Sequence, residues 1–304
     1  MKQFKLFGKK TFLAVLALSI LFLNAQAAGK KAVDKTFKPK EMVKISIVSG
    51  DCIIKKGSGS EIKVHLVYTY ADDEFEPVFE EEGNTLVLKE KFHKTEGKWS
   101  HSGESDWTVT VPERTKIDVS SASGDLEITG LQSSVSGRVA SGDITLKDIN
   151  GSCQLKSASG DVDISDSSGE TSVKIASGDI KLTNVKGTFA IKAASGDIQA
   201  SGIELSGASD FNTVSGELLL ALAKTCTADL ELATVSGDIT LDYNGNPLQG
   251  NVEFKGMKGN IHSDVPFDHD GESKYNPFVT KTIKKGDSPT ITLKAVSGKL
   301  SLKK

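Results

Sequence analysis

Scarcity sets the first limits on this chain. Three Cys in 304 residues cannot build a disulfide scaffold. Aromatics are 6% of residues, so a large aromatic-rich core is not expected, and Ile, Leu, Val and Ala must fill a thin one. Neither sign of charge prevails. The 37 Lys and Arg against 40 Asp and Glu leave a formal net charge of −3, which argues against a polybasic nucleic-acid binder. The chain has no nucleophile elbow, no HExxH and no phosphate loop, so neither an enzyme nor a cofactor is indicated. His65, His93, His101, His262 and His269 show no metal-ligand spacing, and no metal site is assigned. Cys52, Cys153 and Cys226 fall at or near apolar positions, which predicts buried thiols rather than a reactive site.

What is present begins with an address. Lys2, Lys5, Lys9 and Lys10 precede an apolar run from Thr11 to Leu23, and Ala25-Gln26-Ala27 supplies a small-x-small cleavage site. Residues 1–27 therefore read as a secretory signal peptide, because the run is too short to favour a membrane span. No Cys stands at the cleavage point for a lipid anchor, and no later stretch could cross a bilayer as a helix. Removing the four Lys from a chain of −3 leaves a mature charge of −7. The expected location is exported: periplasm, cell envelope or extracellular space.

The dominant signal is a repeat. Ser-Gly-Asp begins at Ser123, Ser141, Ser159, Ser177 and Ser195, each 18 residues after the last. Looser copies start at Ser49, Ser215, Ser236 and Ser297. Three residues after the mark stand Leu126, Ile144, Val162, Ile180 and Ile198, and two further on Ile128, Leu146, Ile164, Leu182 and Ala200. This alternation is a strand with one buried face. A second strand precedes the mark, with Val119, Leu155, Val173, Ile191 and Phe211 four residues before it. Gly137 and Thr171 break its pattern, so it reads as the weaker strand. The residue just before the mark is always Ala or Val (Val48, Ala122, Ala140, Ala158, Ala176, Ala194, Val214, Val235, Val296), which predicts an inward-pointing column at a tight corner.

No period is long enough for a helix, and one repeat cannot bury its own apolar face whereas stacked repeats can. The expected fold is all-β, a single-stranded parallel β-solenoid (β-helix) of about 18 residues per coil with strands spaced by about 4.8 Å. Residues 28–40 read as a polar lead-in and 41–121 as an irregular β segment or N-terminal cap, with loops at Asp72 to Glu82 and His93 to Asp106. Residues 122–304 read as the solenoid, with an excursion loop at 264–289 and a final coil, Ser297 to Leu302, that ends the chain.

The signal peptide, Trp107-Thr108-Val109-Thr110-Val111-Pro112, and Val119-Ser120-Ser121-Ala122-Ser123-Gly124-Asp125-Leu126 with its Ser-Gly-Asp-Ile copies together resemble the bacterial putative-adhesin family of β-strand-repeat proteins, a domain of unknown function. The chain is more distantly similar to head-GIN adhesin-like β-helices. The resemblance covers roughly residues 41–304 and implies an exported β-helical protein without established catalysis.

Two columns of charge stand out. Asp125, Asp143, Asp161, Asp179, Asp197 and Asp238 recur in the mark and should line one corner. Neighbours near 5 Å repel by roughly 1 kcal/mol even in water. They are either a structural corner satisfied by backbone donors or a cation ladder of oxygen ligands. Three residues before the mark, Arg138, Lys156, Lys174 and Lys192 should form a basic stripe. Its alternatives are a surface for an anionic glycan, lipid headgroup or other envelope component, and a solvated face that discourages aggregation. The leading functional expectation is a non-catalytic envelope or surface binding module, an adhesin-like protein. A β-helix glycan lyase or hydrolase and a structural envelope accessory protein are the alternatives.

Overall fold

The period in the sequence is a vertical step in space. The computed structural model describes residues 30–93, 103–271 and 276–304. The signal peptide expected over 1–27, and His101, lie outside the described residues. Those residues form twenty-six strands and no helix, all joined in one continuous sheet that winds back over itself.

Each mark separates two strands. The one after it is short: Leu126–Thr129, Ile144–Lys147, Val162–Ser165 and Ile180–Thr183 lie parallel, with Ile144 opposite both Leu126 and Val162. The one before it is longer: Val135–Ser141, Cys153–Ser159, Ser168–Ser177 and Lys186–Ser195 stack in the same register. The strand expected to be weaker is therefore the more extensive. Gly137 stays in line because neighbouring leucines occupy its side-chain space; a Cβ there would stand 3.0 Å from a Leu155 methyl and 3.3 Å from one of Leu126. Thr171 is buried two positions away along the strand, in the column of Cys153 and Phe189. The two strand sets face each other across a thin aliphatic core, as the alternation predicts. Each fully buried Val, Leu or Ile contributes about 1.5–3 kcal/mol, and one coil supplies only a few, so the coils hold only together.

One predicted inward column points the other way. Val48, Val214, Val235 and Val296 are 46–51% exposed, and the Ala residues at the same position are exposed too. Strand alternation explains this. The positions four and two before the mark are both buried (Val119 and Ser121, Leu155 and Ser157, Ile191 and Ala193), so the residue after them must face solvent. The inward column is two before the mark, where Val139 and Ile175 are buried and Ser121 and Ser157 donate to the carbonyls of Ser123 and Ser159, both at 3.0 Å.

The sheet is mixed, which corrects the expectation of a purely parallel winding. The 18-residue step holds through the centre, lengthens to 20 at Ile198 opposite Leu218 and 21 at Leu218 opposite Ile239, then jumps to 61 at Ile239 opposite Leu300. Antiparallel strands close both ends. At one end Lys31–Phe37 runs against Ile62–Tyr68, which runs against Ser105–Val111, and Phe75–Glu82 pairs with Thr85–Phe92. Residues 31–37 and 75–82, expected as lead-in and acidic loop, are thus strands. At the other end Phe278–Lys285, expected within an excursion loop, lies antiparallel to Gly250–Met257.

Stack order departs from chain order at both ends. Cys52–Lys56 lies between Ser105–Val111 and Leu126–Thr129. Thr290–Ser297 lies between Leu230–Ser236 and Gly250–Met257, so the last coil of the chain is not the last coil of the stack. Antiparallel strands at both ends of the solenoid-like centre cover parallel edges and leave Lys31–Phe37, Phe75–Glu82 and Phe278–Lys285 as outer strands.

Candidate functional site

The mark builds its corner from backbone geometry. Gly160 has φ +115°, a conformation side chains rarely adopt, and a Cβ there would sit 2.1 Å from the Gly142 carbonyl oxygen of the coil beside it. The coils touch at this corner through glycine alone, which lets the adjacent residue reach across. Asp143 N–H donates to Asp125 Oδ1 at 2.9 Å, Asp161 N–H to Asp143 at 2.8 Å, Asp179 N–H to Asp161 at 2.8 Å and Asp197 N–H to Asp179 at 2.8 Å. Asp51 starts the series and Glu217 N–H continues it from Asp197 at 2.7 Å. Asp238 accepts from Lys299 N–H at 2.8 Å, although 61 residues separate them. All six predicted aspartates are therefore brought into one column, and each carboxylate has an amide of the adjoining coil to offset its charge. Among the described residues no group of three or more His, Cys, Asp or Glu is arranged to hold a metal ion.

The basic stripe has a different character. Register places Arg138 opposite Lys156, Lys156 opposite Lys174, and Lys174 opposite Lys192, all four exposed on the outer face of the longer strands. The outermost two find acids: Arg138 Nη1 lies 3.1 Å from Asp118 and Lys192 Nζ 3.6 Å from Asp210. Lys156 and Lys174 have no ion pair among the described residues. Like charges directly opposite on neighbouring strands are unfavourable, and here no protein group relieves the middle pair. Along their strands the neighbours on the same face are Gln154 and Ser172 on one side and Ala158 and Ala176 on the other. Three parallel rows result: neutral polar, cationic and small apolar.

Three features escaped the sequence reading. The apolar row is exposed and flanks the cations. A second corner stacks Gly130, Asp148, Asp166, Asn184 and Gly202, all at φ between +51° and +75°. Its signal was an 18-residue column of residue types that tolerate the left-handed region. Third, Glu90 is folded into the N-terminal end, where its carboxylate accepts from the Ser105 hydroxyl, from Trp107 Nε1 at 3.0 Å and from Val48 N–H at 2.7 Å. Burial raises its pKa despite those donors. No repeat marks Glu90, so nothing in the spacing could reveal it.

The remaining candidates are quiet. All three Cys are free and buried, with burial pushing Cys52 and Cys153 up to about 12 and Cys226 to about 11. They remain thiols at neutral pH and make poor nucleophiles. His65 pairs with Asp34 at 2.7 Å and His93 with Glu76 at 3.3 Å on the N-terminal end, and His262 and His269 lie exposed at the other. Among the described residues no helix is long and apolar enough to cross a membrane.

Comparison with known proteins gives a family and a fold. The family model for Toastrack DUF4097 matches residues 40–227 and 205–303. A solved structure of a "putative lipid binding protein" from Parabacteroides distasonis is 15% identical, aligns over 90% of this chain and 97% of its own, and has a TM-score of 0.50. A "putative adhesin" from the same organism is 11% identical over 90% and 97% of the two chains, with a TM-score of 0.49. A "putative cell adhesion protein" from Clostridium sporogenes is 13% identical over 90% and 98%, with a TM-score of 0.25. At such identities the first of these is a likeness of fold. A search of curated proteins found no match.

Proposed function

The chain belongs to the Toastrack DUF4097 family, and from that premise we propose that it is an exported, non-catalytic binding module of the cell envelope or surface, adhesin-like in role. Its frame in this reading is a wound solenoid of 18-residue coils across the centre, stiff enough to hold side chains at fixed intervals. Its contact face is the outer side of the longer strands, where Arg138, Lys156, Lys174 and Lys192 stand in register.

One observation carries the reading: Lys156 and Lys174 face each other on adjacent coils, exposed and with no ion pair among the described residues. The acidic column is satisfied from within by backbone amides. The basic row is not, so its middle is a surface waiting for an external anion. Binding rather than hydrolysis or lyase chemistry is supported by the unbroken 18-residue step of the central coils. That step leaves no inserted loop to wall a cleft beside the row.

The test is a binding screen of the mature protein against purified envelope glycans, lipid vesicles and whole cells, run beside K156E/K174E. Retention by at least one component, reduced in the double variant, is expected. No retention by any component, or equal retention of both proteins, overturns the reading, and product release from a polyuronide would establish the enzymatic alternative instead.

A further inference from the structure

The three rows on this face specify more than an anion. They run across the strands, along the stacking axis, and each advances one member per coil: Ser136, Gln154, Ser172; Arg138, Lys156, Lys174, Lys192; Ala140, Ala158, Ala176, Ala194. Successive members are separated by one inter-strand step of about 4.8 Å. The four cations thus span roughly 14 Å in a straight line. A ligand that runs along them has to be linear and extended, with its facing charges spaced by a whole number of such steps.

A chain of 1,4-linked pyranoses advances by a comparable length per ring, and its near two-fold screw turns successive rings to opposite sides. A uronic acid adds one carboxylate per ring. The other rows suit the rest of that molecule. Ser and Gln side chains can pair with ring hydroxyls, and exposed Ala methyls offer a smooth strip against which ring C–H faces can lie. No bulky side chain interrupts the row, since its neighbours on both sides are Ala, Ser or Gln in the coils that carry Lys156 and Lys174. We infer that the central face binds a linear polyuronate laid along the stack, with the carboxylates of alternate rings meeting cations on alternate coils. This rests on the reading of the face as a binding surface and assigns its ligand class. A lipid headgroup layer presents its charges in two dimensions with no fixed repeat, and would gain nothing from a single straight row.

Calorimetric titration of the mature full-length protein with oligogalacturonates from the dimer to the octamer tests this. Affinity should climb with each added unit to about the tetramer and then flatten, as the cationic row is used up. It should fall with added salt. K156E/K174E should bind the tetramer weaker by on the order of tenfold or more, whereas K156R/K174R should retain binding, with both variants checked for fold by circular dichroism. Binding independent of length, equal binding of neutral dextran, or undiminished binding by a folded K156E/K174E overturns the inference. Binding to phosphatidylglycerol vesicles without binding to the oligomers overturns it too, yet leaves the binding-module reading standing. Failure here together with an empty envelope screen removes both.

Discussion

Two of the turns in the central coils obey different rules. At the first, glycines from Gly124 to Gly196 hold φ between +103° and +132°, with the backbone pressed against the preceding coil. At the second, Gly130, Asp148, Asp166, Asn184 and Gly202 hold φ between +51° and +75°. The first conformation lies outside what an L side chain adopts, and the contact leaves no room for a Cβ. The second is the ordinary left-handed well, which Asn and Asp enter at modest cost. Two turns with the same task thus leave unlike traces: an invariant tripeptide at one, and a scatter of three residue types at the other.

The comparison breaks most sharply at Gly160. Gly160→Val should destabilise the protein by roughly 3–5 kcal/mol, combining backbone strain with a clash against Gly142. Asn184→Gly at the second corner should stay within about 1 kcal/mol, and similar losses of melting temperature for the two would dissolve the distinction. The next effect concerns the hydrogen bond the first corner permits. Asp143→Ala strips the acceptor from Asp161 N–H and should cost on the order of 1 kcal/mol, since the group is exposed to solvent. Asp143→Asn keeps an oxygen there and should recover most of it in denaturant titrations.

The smallest effect contrasts the corner at the N-terminal end with those inside. There Val48 N–H is held by the half-buried Glu90. Burial raises that carboxyl above the ordinary 4.5, so the folded protein binds its proton more tightly than the unfolded chain does. The resulting stability is fully present below 4.5 and is lost as pH rises through the folded value. Glu90→Gln should flatten this slope, seen as the difference between the two curves of melting temperature against pH. Parallel curves would show that Glu90 does not titrate across folding.

How far the sequence discloses this molecule follows from the same physics. Aliphatic columns such as Leu126, Ile144, Val162 and Ile180 were legible because every coil must bury the same positions. The Gly corner and the acidic column were legible because only one residue type solves each problem. The basic row could be read from its spacing, but not the pairing of its outermost members, since Asp118 and Asp210 belong to other rows. The outward Ala and Val row was misread because small apolar residues suggest interior, whereas counting three positions on from the buried column four before the mark turns it outward. The ends were illegible for a different reason. Cys52 meets Leu126 and Ile239 meets Leu300 across 74 and 61 residues, and contacts so distant leave no period to detect.

The displaced final coil has a consequence for the order in which the molecule can be completed. Leu230–Ser236 is flanked on one side by earlier residues and on the other by Thr290–Ser297. As the polypeptide emerges vectorially, that flank stays bare until the tail arrives and slides between two ribbons already made. A nascent chain paused before residue 290 would therefore expose an unpaired strand edge to any neighbour in the same state.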